Sequence, residues 1–119
     1  MFDETLAELK ARIDGARAIV LTGVDGMILA AAGGGGADPA PDLLAACLSD
    51  VHRRVVAAHR DAGLPLPVET SAGSSDATVV VRRVTDEYLL VALLGPAGGL
   101  GRARFELRRA AARLQTELL

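Results

Sequence analysis

Tryptophan is absent, and the sequence holds one tyrosine and two phenylalanines. Base-stacking platforms and ligand cages are built from aromatic rings, so this poverty argues against both. One cysteine, Cys47, rules out an internal disulfide and fits a reducing compartment. Neither sign of charge is in marked excess. The 13 basic and 15 acidic residues leave a formal −2, which gives nucleic acid no electrostatic footprint. Lysine is reduced to Lys10, the other basic residues being arginine. No apolar run approaches the ~18 residues that cross a bilayer, and Met1 leads into Asp3 and Glu4 rather than into a secretory signal. A cytoplasmic protein without a membrane span is expected.

What is present suffices for one domain, 1–119: half of the 119 residues are hydrophobic, enough for a core without disulfides. Leu6, Leu9 and Ile13 recur at helical spacing between Asp3 and Gly15, with Asp3 as a cap, Phe2 as a staple and Gly15 as the stop. Ala18–Thr22 and Met27–Ala31 are apolar runs around Val24-Asp25-Gly26, which predicts a hairpin. Gly33 to Pro41 reads as a mobile loop, with Asp42 capping the next helix. That helix, 42–62, carries Leu44, Leu48, Val51, Val55 and Ala58 in one stripe, widened by Leu43 and Cys47, and stops at Gly63, Pro65 and Pro67.

The second half is rich in strand signals. Val68–Ala72 follows Pro67 and reads as an edge strand. Thr78–Val84 and Tyr88–Leu94 flank a Thr85-Asp86-Glu87 turn, and the second of them is apolar on both faces, as a central strand is. Gly95 to Gly99 breaks the pattern. A last helix over 100–118 buries Leu107, Ala111, Leu114 and Leu118 and turns its arginines, with Glu106 and Glu117, to water. The order is αββαβββα, an α/β chain of the α+β kind. Two central strands need cover on both faces, so the first and last helices are placed on one face and the middle helix on the other.

Chemistry-bearing sets are missing. No phosphate-loop pattern occurs, because neither glycine-rich stretch is followed by Lys-Ser/Thr. His52 and His59 lie on one side of the middle helix but two turns apart, too distant for one metal, and read as surface or interface histidines. Cys47 has no base beside it and reads as a small hydrophobe. Asp86 and Glu87 point apart in a tight turn, and Ser71, Ser74 and Ser75 lack a nucleophile context. The expectation is a protein that is no enzyme and holds no cofactor or metal.

What the single chain does not explain is its apolar surface. A middle helix with so broad an arc, next to an open edge strand, is an aggregation hazard unless paired. A two-fold dimer satisfies helix and edge together, with Leu44, Cys47, Leu48, Val51, Val55 and Ala58 as the expected contact.

The opening helix, Ala18-Ile19-Val20-Leu21 and Asp25-Gly26 precede a more specific second half. There Asp86-Glu87-Tyr88 enters an apolar strand, followed by Pro96, Gly98, Gly101-Arg102, Arg104, Leu107-Arg108, Ala110-Ala111, Leu114 and Glu117-Leu118. In this the chain resembles, over nearly its whole length, the Roadblock family (the dynein light-chain roadblock type), and in particular small bacterial regulators of Ras-like GTPases. The resemblance implies a five-stranded antiparallel sheet with helices on both faces. It also implies a homodimer, or a heterodimer with a related Roadblock chain, joined through middle helices and sheet edges. Some bacterial members are GTPase-activating proteins that insert no arginine finger, and others are platforms; no catalytic residue carries over. The implied function is a non-enzymatic homodimeric regulator or scaffold for a small Ras-like GTPase, with His52, Arg53, Arg54 and His59 as polar residues around the partner surface. The alternative is a small-molecule sensor of profilin-like or PAS-like type, which needs a pocket with convergent polar groups, whereas Val, Leu and Ala fill the expected sheet interior.

Overall fold

A computed structural model describes residues 2–96 and 99–119. They form α1 (Phe2–Arg12), β1 (Ala16–Gly23), β2 (Ile28–Gly33), α2 (Pro41–Asp61), β3 (Glu69–Gly73), β4 (Thr78–Arg83), β5 (Tyr88–Leu94) and α3 (Leu100–Leu118). The strands make one antiparallel sheet in the order β2-β1-β5-β4-β3. The Ala97-Gly98 part of the expected break lies outside the described residues.

The two strands that are apolar on both faces, β1 and β5, sit centrally. Directly opposed residues share a face, so the registers Leu21↔Leu90 and Val20↔Val91 assign one pair to each side. Ile19, Leu21, Leu90 and Ala92 pack with Leu6 and Leu9 of α1 and Leu107 and Leu114 of α3. Ala18, Val20, Leu89 and Val91 pack with Leu44 and Ala45 of α2. The first and last helices therefore share one face and the middle helix takes the other, as the order of elements requires. Glu8 and Arg113 approach to 3.8 Å between α1 and α3, an exposed pair of small consequence. Glu106 departs from the expected wet side of α3. It is buried at 2% exposure beside α1 and is held by Arg109 at 3.1 Å.

The loops differ more from expectation. Gly33–Pro41 folds back on itself instead of hanging free. Gly33 to Gly36 all take positive φ, a conformation that glycine adopts without steric cost. The Gly35 amide bonds the Pro39 carbonyl at 3.0 Å, and Arg17 Nε donates to Asp38 Oδ1 at 2.8 Å. Asp42 does not cap α2. Ala40 holds that position and Pro41 opens the helix, where its fixed φ suits the first turn and its missing N–H costs nothing. Strand β2 begins at Ile28 rather than Met27, because the Gly23 amide bonds the Met27 carbonyl and draws Met27 into the turn.

A Cβ on Gly33 would lie 2.4 Å from the Arg17 carbonyl oxygen at a φ of 78°, whereas one on Gly36 would meet nothing. Gly33→Ala is therefore expected to cost about 1–3 kcal/mol and Gly36→Ala clearly less. Urea denaturation of both variants checks the order, and equal losses would refute the close approach at Gly33.

Candidate interaction surface

Helix α2 is asked to cover one whole side of the sheet and is too narrow for it. Five strands at ~4.8 Å make a sheet about 24 Å wide, whereas a helix with its side chains is about 10 Å across. It packs mainly on β1, β2 and β5, its cluster takes in Val81 of β4, and β3 carries no buried residue. One flank is fastened to the β1–β2 turn. Ser49 stands over Gly26, and an Arg53 guanidinium N–H donates to the Val24 carbonyl. The opposite flank faces the β3 side of the sheet.

This placement sorts the residues of the predicted contact. Leu44, at 5% exposure, is buried against Val20 and Val91, so it belongs to the protomer's own core and not to an outer contact. Leu48 is half-buried on the same cluster, and Val55 is half-buried. Cys47, Val51 and Ala58 are exposed, Val51 at 40%, and Leu43 joins them at 56%. Cys47 is thus a solvent-facing thiol rather than a packed hydrophobe. The broad arc is real, but its sheet-facing half and its outward half have different work.

The polar set divides likewise. His52 is not a surface residue: it is 6% exposed and turned toward the sheet with Ala45 and Ser49. Burial holds its pKa below the ordinary histidine value, and the nearby charges of Arg83 and Arg53 act in the same direction. His59 is half-buried, its Nδ1 at 3.0 Å from the Pro65 carbonyl, which pins the chain leaving α2. Arg53 is engaged with Val24, as above, and with Asp50. Arg54 remains the outward cation, its side chain 80% exposed and 3.0 Å from Asp50.

Strand β3 is an edge strand, paired with β4 among the described residues. The residues leading into it extend the apolar surface: Leu64, Leu66 and Val68 are each about half exposed. Sequence reasoning passed over Leu64 and Leu66 as part of a proline-rich connection and placed Val68 in the edge strand, which begins one residue later at Glu69. The available signal was three large apolar residues alternating with Pro65 and Pro67, in a segment that neither neighbouring element buries. The surface as a whole is an α2 flank, the uncovered strand β3 and its unpaired edge. Among the described residues no group of three or more His, Cys, Asp or Glu side chains could hold a metal ion, and no helix is long and apolar enough to cross a membrane.

No protein-family model matches the sequence, and no curated protein does. Solved structures match over nearly the full length. Myxococcus xanthus MglB superposes with a TM-score of 0.89 at 15% identity, over 98% of this chain and 86% of that one. A Roadblock/LC7 domain from Streptomyces avermitilis gives 0.89 at 17% identity, over 98% and 96%. An MglB with a tetrameric arrangement gives 0.86 at 25% identity, over 98% and 88%. The chain has a Roadblock-like fold.

The lowered pKa of His52 has a definite sign in the stability profile. As pH falls below the ordinary value of 6.5, the unfolded chain takes up a proton that the folded chain resists. The stability held above that pH is lost on acidification toward the folded pKa. His52→Gln is expected to flatten the fall in melting temperature between about pH 7 and about pH 5 relative to the parent protein. Parallel profiles for the two proteins would show that His52 carries none of it.

Proposed function

We propose that this chain is a non-enzymatic, cytoplasmic regulator or scaffold that binds a small Ras-like GTPase and works as a homodimer or paired with a related Roadblock-like chain. The observation that carries the reading is the exposed flank of Cys47, Val51 and Ala58 beside the uncovered strand β3 and its unpaired edge. A second copy related by a two-fold axis brings flank to flank and edge to edge in one contact. The sequence resemblance to bacterial Roadblock proteins implies the GTPase partner, and the likeness to MglB over nearly the full chain supports it.

A protein of this kind changes hydrolysis without donating a reacting group. A surface that binds one arrangement of the partner's switch segments better than another shifts the population by that difference in affinity, and a surface indifferent to them only tethers. The sensor alternative gains no support from the interior, where Leu21, Leu90, Val91 and Leu107 leave no exposed area. The clefts lie open at the surface.

Sedimentation velocity on the parent protein and on Val51→Glu is the first test. The parent is expected to be a dimer and the variant a folded monomer, since a buried unpaired carboxylate costs several kcal/mol or more in the contact but little on an exposed protomer face. A parent that sediments as a monomer refutes the dimer. The second test is retention of the organism's Ras-like GTPase, loaded with GDP or with a non-hydrolysable GTP analogue, on immobilised protein. Arg54→Glu should weaken retention in a salt-dependent way. No retention in either nucleotide state refutes the GTPase reading, and the hydrolysis rate of the retained complex separates activator from platform.

A further inference from the structure

The last helix is the most basic element of the chain. Helix α3 carries five arginines against two glutamates, in a chain whose formal charge is −2. One flank of α3, through Arg104, Phe105 and Arg108, faces the β4–β3 margin across a groove. The groove consists of two adjoining clefts of about 570 and 250 Å³ that share Arg82 and Arg108. It lies on the face of the sheet opposite α2 and meets the surface described above at the β3 margin, where Val68 lines the larger cleft.

The floor of this groove is electrostatically unfinished. Glu69, opposite Arg82 in the β3–β4 register, is the acid of the smaller cleft, with a side chain 10% exposed. Glu69 is bonded to Arg104 and stands 3.7 Å from Arg82, beyond hydrogen-bond reach. Arg82 Nε is buried and has no hydrogen-bond partner among the described residues. A buried donor left unpaired costs free energy that an incoming acceptor would recover. Arg108 makes no ion pair among the described residues and rests over the Phe105 ring at 5.7 Å. In the smaller cleft three guanidinium groups thus share one carboxylate, while the larger cleft adds Arg83, paired with Asp86, and Glu87 at its turn end; apolar side chains lie beside them.

We propose that the groove between α3 and the β4–β3 margin docks an extended acidic segment of a partner protein, its carboxylates meeting Arg82 and Arg108 and its apolar residues lying along Phe105 and Leu118. The shape selects this occupant. From Gly101 to Gln115 the wall is about 21 Å long, which matches about six residues of extended chain and exceeds any single small anion. A planar anionic membrane would meet the outward arginines but could not reach the recessed Arg82. Because the groove and the α2 flank lie on opposite faces, both can be occupied at once, which suits a scaffold.

The test is fluorescence anisotropy of a labelled peptide of repeated Glu-Asp-Leu, with a Lys-Lys-Leu peptide as control, on the full chain. The acidic peptide is expected to bind saturably and to weaken as salt rises from about 50 to about 300 mM. Arg82→Gln with Arg108→Gln should weaken it by about tenfold or more, whereas Arg102→Gln with Arg113→Gln should change it by less than about threefold. Should the Arg82 variant fail to fold, Arg108→Gln alone carries the comparison. Absence of saturable binding, equal binding of the control peptide, or equal losses in the two double variants would overturn the proposal. So would phosphatidylserine vesicles binding the parent and the Arg82/Arg108 variant alike while the peptide does not bind.

Discussion

A single helix cannot cover a five-stranded sheet. On one face the problem is solved within the chain, since α1 and α3 share the cover and seal Leu6, Leu21, Leu90, Leu107 and Leu114. On the other face α2 stands alone, anchored toward β2 by Ser49 and Arg53; its cluster reaches Val81 of β4, and β3 goes without. The exposed valine and cysteine of its outer flank, the unpaired edge and the apolar connection into β3 all follow from that geometry. A monomer could have been finished with a fourth helix. This chain leaves the surface exposed, and its likeness to known structures is to a fold in which an MglB with a tetrameric arrangement occurs.

Arginine serves here in two physically different ways. Arg17 and Arg53 are clips: each reaches from a regular element to a turn and closes it, through Asp38 and the Val24 carbonyl respectively. Arg82 and Arg108 are under-partnered and sit in a groove. The planar guanidinium with its several N–H donors suits both uses, since it reaches carbonyl and carboxylate alike and stays charged when partly buried. Net charge, close to neutral for the chain as a whole, conceals this separation.

Buried polar groups mark the places where packing overruled pattern. His52, Ser49 and Glu106 all lie in helices whose apolar stripes are plain, yet each is inside the boundary of the stripe rather than outside it. Helical spacing gives the direction of a stripe but not its width. The width depends on how closely the sheet approaches. Ser49 and Glu106 find a carbonyl and an arginine, and His52 stays neutral more readily than an exposed histidine would.

Much of the architecture was legible in the residue order. Strands that are apolar on both faces had to be central, Pro67 put its strand at an edge, and glycines at 15 and 63 ended their helices, because these are local consequences of burial, missing N–H groups and positive φ. The middle helix was recognisable as too apolar for one sheet face. Which of its residues the protomer keeps for itself was not: Leu44 and His52 turn inward while Cys47 and Val51 stay out. That depends on the sideways position of α2 over the sheet, set by contacts with a turn more than twenty residues away, and residue spacing along one helix carries no information about it. The groove beside α3 was hidden for the same reason, since Glu69, Arg82 and Arg108 are distant in sequence and meet only when β3, β4 and α3 are packed.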